Sequence, residues 1–257
     1  QAMANLFKLH IKSILALLLI LSAAQLGFAA EPKLASASIP PEQSGDYSQN
    51  KPLLSTKKTV LNSFEPLFSQ VTLELGENQQ RYLDDPVAYQ RFVNRLVKPL
   101  WDSRSTTSAL IGRQRFDLLN QADRAALVDA VDNTLRRYAF EGLERYSGQR
   151  FRVVDVVVNQ RAGMGWVQVL MESSLIPDIH FDVLIKQAEA GRWKAVDVRF
   201  KGITYVAVKK HKFRKTIDEK GVQALIAELQ IKNREYFIEI CAKAEIVGIP
   251  PCPVQVK

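Results

Sequence analysis

The spacing of apolar residues changes at Ser147-Gly148, from a period of about 3.6 before it to about 2 after it. A chain that does this must bury helical stripes and alternating strand faces in one core. Upstream, Asp85 caps a helix whose first position is Pro86, and Tyr89, Phe92, Val93, Leu96, Val97 and Leu100 form its apolar stripe. A helix is expected before it at 60–77, and a short one after it at 106–111 with Gly112 as an αL cap. The next begins after Asn120, with Asp123 completing a weak capping box. Its apolar face carries Val128, Val131, Leu135, Tyr138, Ala139, Leu143 and Tyr146.

Downstream, 151–158 reads as a strand with apolar residues on both faces near its end. An Ala162-Gly163-Met164-Gly165 hairpin leads to a second strand at 166–172. Ile179, Phe181, Val183 and Ile185 then alternate with His180, Asp182, Leu184 and Lys186, and Val196, Val198 and Phe200 alternate with Asp197, Arg199 and Lys201. Helices followed by an antiparallel meander imply an α+β domain with the helices packed on one face of the sheet.

The ends read differently. Lys8 and Lys12 precede an apolar run at 14–21, with small residues through Ala30, the order of a secretory signal peptide. Gly27 and Ala29 suit cleavage after Ala29; Ser22 and Ala24 offer a second position. The run falls short of the ~20 residues that span a bilayer, so an uncleaved anchor is the lesser alternative. The expected division is therefore signal peptide 1–29, polar arm 30–58, folded domain 59–232 and C-terminal extension 233–257. Loss of Lys8 and Lys12 would lower the net charge from +8 to +6. Export argues against nucleic acid as the partner of that charge. Cys241 and Cys252 are the only cysteines, and a disulfide between them is expected in an oxidising compartment; the alternative is two unrelated thiols in a tail.

The segment from Trp193 to Leu229 carries the pattern W-K-x-x-D-V-x-x-x-G-[IV]-[ST], then Phe213, then the helix Gly221-Val222-Gln223-Ala224-Leu225-Ile226 ending at Leu229. This resembles the MlaC family, periplasmic phospholipid carriers that work with an ABC transporter. Asp85-Pro86 through Leu96, then Leu100, Ala109, Leu110 and Gly112, and the L-x-x-Y-x-G ending at Leu143, Tyr146 and Gly148, extend the resemblance over about 60–230. It implies a curved sheet and helices similar to the nuclear-transport-factor-2-like cone, a small helical subdomain and an enclosed apolar cavity for acyl chains. It also implies phospholipid as cargo, an inner-membrane ABC complex and an outer-membrane lipoprotein complex of the Mla type as partners, and no cofactor. A monomer in the periplasm is expected. The polar arm and the tail after Lys232 depart from the pattern.

Burying a methylene contributes about 0.8 kcal/mol, so roughly 30 methylenes of two acyl chains contribute on the order of 24 kcal/mol. A carrier site therefore needs apolar walls and few polar anchors. The candidate walls are Val169, Met171, Ile179, Phe181, Val183 and Val198 from the strands, Phe92, Leu96, Leu135 and Tyr138 from the helices, and Ile203 and Tyr205 near the mouth. Each of these residue types also serves as plain core. Lys209, Lys210, Lys212 and Arg214, with His211 and Lys215, form a basic run that would meet lipid phosphate, an anionic membrane or an acidic partner, or else be a solvated helix face. Trp193 is expected to pack and Asp197 to tie a backbone turn. The chain has no HExxH, GxSxG or GxGxxG motif, and no metal site is expected. Three rivals stay open: a carrier of a hopanoid or solvent-like cargo, a non-carrier envelope adaptor acting through its basic surface, and an isomerase-like enzyme. The last would need a buried carboxylate, with Asp155 and Asp182 the positions to inspect.

Overall fold

The structure, a computed structural model, describes residues 50–174 and 177–246. The expected signal peptide and the arm up to Gln49 lie outside the described residues, as does Cys252. Helix α1 spans Asn50–Asp84, well beyond the expected 60–77. Its first turns tolerate Pro52 because a helix leaves its leading N–H groups unpaired in any case. Tertiary contacts then hold a stretch whose composition reads as flexible: Lys57 pairs with Asp155, and the Gln160 amide donates to Thr56 Oγ1 at 2.7 Å.

Asp85 caps α2, Pro86–Leu96, by accepting from the Ala88 amide at 2.9 Å. Helix α3, Ser103–Ile111, starts earlier than expected because Asp102 accepts from the Ser105 amide. Gly112 ends it at φ 92° and ψ 137°, a positive-φ conformation outside the αL region. A short α4, Arg113–Leu118, follows, which apolar spacing alone does not reveal. Asn120 caps α5, Gln121–Leu143, as the sequence predicts.

The strands are β1 Arg150–Asn159, β2 Met164–Glu172, β3 Ile179–Gln187, β4 Trp193–Phe200 and β5 Ile203–Thr204, paired antiparallel in that order. Register is interrupted between Val153 and Asp155 in β1, and between Leu184 and Ile185 where β3 meets β4. Such bulges bend the sheet, and the first explains the apolar residues on both faces of β1: Val156 is buried while Val154 and Val157 are exposed. At the β1–β2 turn, a Cβ on Gly165 would stand 2.6 Å from the Val157 carbonyl oxygen, so only glycine fits there.

Helix α6, Tyr205–Lys220, and helix α7, Val222–Ile246, close the fold. The latter continues past Lys232, where a short helix is expected. Polar Lys232 and Arg234 mask a stripe that buries Leu229, Asn233, Phe237 and Ile240. Trp193 is buried, and Asp197 accepts from the Val198 and Val206 amides at 2.8 and 3.2 Å, tying β4 to the start of α6. Burial keeps its carboxyl above the usual range, with these amides opposing.

Candidate functional site: an apolar wall and a polar junction

Alternation sends Val167, Val169 and Met171 of β2 to the same sheet face as Ile179, Phe181 and Val183 of β3, and register sets Val183 beside Val198 of β4. The strand residues that the sequence names as candidate walls therefore share one face. Phe68 of α1 covers it from the side of β1, with its ring 6.5 Å from Phe151 and 6.2 Å from Phe181. The wall is closed: Val169 and Met171 are 0% exposed, so no water-sized void touches either. Among the described residues, hydrogen bonds join helices to β1, to β4 and to the end of β3. Thr72 Oγ1 accepts from the Phe151 amide of β1, Thr106 Oγ1 donates to the Val196 carbonyl of β4, and Lys186 at the end of β3 meets Ser105.

The other expected lining residues scatter. Phe92 stacks on Tyr82 and Tyr89, 5.3 and 5.6 Å between ring centres, in an aromatic cluster among the helices. Leu96 lies partly buried on the same helix, and Leu135 partly buried on α5. Ile203 is 55% exposed. Tyr138 and Tyr205 do come together, edge to face at 6.0 Å.

Around those two tyrosines, α5, α6 and α7 form a polar junction. The Arg137 guanidinium lies 5.1 Å from the centre of the Tyr138 ring, and its Nε stands 3.4 Å from Glu141 without an aligned hydrogen bond. Burial raises the Glu141 carboxyl, with Arg137, Arg145 and Lys209 opposing. Burial lowers the Lys209 ammonium, and the positive charges of Lys212, Arg137 and Lys232 add to that. The buried Tyr205 hydroxyl interacts with that of Tyr138, and the Tyr236 hydroxyl is shielded from solvent without a hydrogen bond among the described residues. Sequence reasoning missed Arg137, Glu141 and Tyr236. A charged residue beside the apolar stripe of a helix was the available signal, and it reads equally well as surface.

The basic run is not one patch. Successive helical residues turn by about 100°, so Lys209 faces the junction and Lys210 faces solvent. Lys212 pairs with Glu228 at 2.6 Å, and Arg214 Nε donates to the Leu110 carbonyl at 3.3 Å near the end of α3. Arg214 also lines an open groove of about 370 Å³ on the outer sheet face, with Ser105, Ala109, Leu184, Lys186 and Val196. Asp155 and Asp182 are outward-facing and ion-paired, to Lys57 and, at 2.9 Å, to Arg199. The Lys57 bond holds Asp155 below its ordinary range. Neither is the buried carboxylate that an isomerase-like site requires. Cys241 sits partly buried in α7; its expected partner Cys252 is outside the described residues. Among the described residues no group of three or more His, Cys, Asp or Glu could hold a metal, and no helix is long and apolar enough to cross a membrane.

Comparison with known proteins places these features. The family described as MlaC protein matches residues 66–231. Among solved structures, the phospholipid-binding protein from Ralstonia solanacearum, determined in complex with a phospholipid, superposes with a TM-score of 0.55 at 18% identity. The match covers 70% of this chain and 98% of that one. At that identity the likeness shows the fold, an α+β arrangement with an open antiparallel sheet. No curated protein matches the chain.

Proposed function

The chain belongs to the MlaC family, and we propose that it binds phospholipid by the acyl chains and carries it across the periplasm between inner- and outer-membrane partners of an ABC transport system. The observation that carries this reading is the continuous apolar wall of β2, β3 and β4, with hydrogen bonds joining helices to β1 and β4. Apolar contacts are non-directional, so helix and sheet can part over the wall and close again with acyl chains in place of side chains. The phospholipid bound by the Ralstonia solanacearum protein supports the same cargo here. A signal peptide at 1–29 and a periplasmic location belong to the same proposal, as does action without chemistry.

The closed packing of Val169 and Met171 favours a second reading, an envelope adaptor whose core never opens. Transfer of a fluorescent phospholipid between donor and acceptor vesicles separates the two. A carrier accelerates transfer in proportion to its concentration; an adaptor leaves the spontaneous rate unchanged. Val183→Glu is a poor probe for this purpose, because an unpaired carboxylate in packed core unfolds the chain before it blocks a site.

A further inference from the structure

Two lysines face each other across the strand pair of β3 and β4. Register sets Lys186 directly opposite Lys194. They lie on the outer face of the sheet, because the neighbouring pair Ile185 and Ala195 is buried on the inner one. Like charges directly opposite in an antiparallel pair are destabilising, and a nearby carboxylate would relieve them. Here Lys186 Nζ donates instead to the neutral Ser105 hydroxyl, at 3.3 Å. Neither lysine forms an ion pair among the described residues.

The same two side chains line an open groove of about 640 Å³ between α3, α4 and the β3–β4 connection, with Arg104, Arg113 and Arg192. Arg104 lies over the Phe116 ring, 5.1 Å from its centre, and exposed Arg113 reaches Asp117 at 3.5 Å. Three carboxylates share the lining with these five cations. Asp102 is engaged in capping α3 and Asp117 in holding Arg113. Glu189, in the β3–β4 connection, makes no ion pair with either lysine among the described residues. Ser105, Ser108, Arg113 and Lys186 also line the 370 Å³ groove, where Arg214 adds a sixth cation. The carboxylate there, Asp197, is buried and accepts from backbone amides.

We propose that this groove docks an acidic, extended segment of a protein partner. Positive charge stands on both banks, with Arg104 and Arg113 on the helices and Lys186, Arg192 and Lys194 on the β3–β4 hairpin. A peptide lying between the banks presents carboxylates to either side, whereas a flat anionic bilayer meets only the rim. A partner carboxylate between Lys186 and Lys194 turns their repulsion into attraction, so the arrangement that destabilises the free protein favours the complex. Because the groove lies on the outer face of the sheet, a partner seated there leaves the core between sheet and helices untouched. The proposal therefore holds whether that core opens to lipid or stays closed. Of the basic run from Lys209 to Lys215, it uses Arg214 alone.

The test is the fluorescence anisotropy of a short fluorescein-labelled peptide of alternating Glu and Ser, at low salt, where surface charge is least screened. A peptide with Gln for every Glu is the neutral control, and sedimentation with dioleoylphosphatidylglycerol vesicles is a separate arm. Wild type should bind the acidic peptide and not the neutral one. Lys186→Gln/Lys194→Gln should weaken that binding about fivefold or more, the loss expected from two exposed ion pairs. Lys58→Gln/Lys220→Gln removes the same charge from exposed positions that do not line the groove, and should weaken it less than about twofold. Because it deletes opposed charges and keeps most of each stem, Lys186→Gln/Lys194→Gln should melt at the same temperature as wild type or higher. Equal weakening by the two double variants overturns the groove in favour of net charge alone. Wild type that binds neither peptide, or both equally, overturns it as well. Vesicle binding that Lys186→Gln/Lys194→Gln abolishes, without peptide binding, makes the surface a membrane contact and overturns the protein partner. A lower melting temperature for that variant overturns the premise that the two lysines stand unrelieved in the free protein.

Discussion

Helices α5 and α7 run in parallel and treat buried polarity in opposite ways one turn apart. At the first crossing, the Asn233 amide donates to the Ala130 carbonyl at 3.0 Å, and Thr134 Oγ1 meets Asn233 Oδ1 at 3.2 Å. Both side chains are buried and both are paired. Three residues on along each helix, Arg137 and Tyr236 are partly buried, and their solvent-shielded Nε and Oη lack hydrogen bonds among the described residues. The same pair of helices thus has a self-sufficient polar crossing beside an incomplete one.

Three substitutions break or sharpen that contrast. Asn233→Ala removes the satisfied crossing and leaves a cavity, and should destabilise the lipid-free protein by about 1–3 kcal/mol, read by chemical denaturation. Glu228→Gln loosens the ion pair from α7 to Lys212 of α6 and the one within α7 to Lys232, beside the incomplete crossing. At neutral pH its effect should be smaller, about 0.2–1 kcal/mol, as for exposed pairs. The two lysines hold the Glu228 carboxyl down at about 2 against an ordinary 4.5. A lowered carboxyl favours the folded state above its ordinary pKa and loses that contribution as pH falls toward the folded one. The wild type should therefore lose its advantage over the variant between about pH 4.5 and 2, seen as converging melting temperatures. Tyr236→Phe should have the smallest effect on the lipid-free protein, within about 0.5 kcal/mol of zero or stabilising, since it deletes a hydroxyl without a partner. A loss as large as that of Asn233→Ala would show the two crossings to be alike.

The legible part of this fold was its periodicity. Alternation from Phe151 to Lys201 identified four strands, and Asp85-Pro86 and Asn120 marked helix starts that the caps reproduce. The ends were less legible, for a physical reason. Asn50 through Lys58 is polar and contains a proline, and its helix is held by contacts with Asp155 and Gln160 that lie about a hundred residues away. In the candidate site, strand residues were predictable because one face of a strand is fixed by parity. Phe92 and Ile203 were not, since the type of an apolar residue does not say which apolar cluster it joins. The basic run from Lys209 to Lys215 looked like one patch in sequence and is distributed around a helix in space. Arg137 was illegible because a buried arginine is spelled like an exposed one.

The wall can be tested without any substitution. Native mass spectrometry of the delipidated protein after incubation with phospholipid vesicles should show the chain carrying a mass that extraction identifies as phospholipid. A chain that stays at its bare mass after the same incubation would contradict the account, and would make the closed packing of β2 and β3 the permanent state of the core.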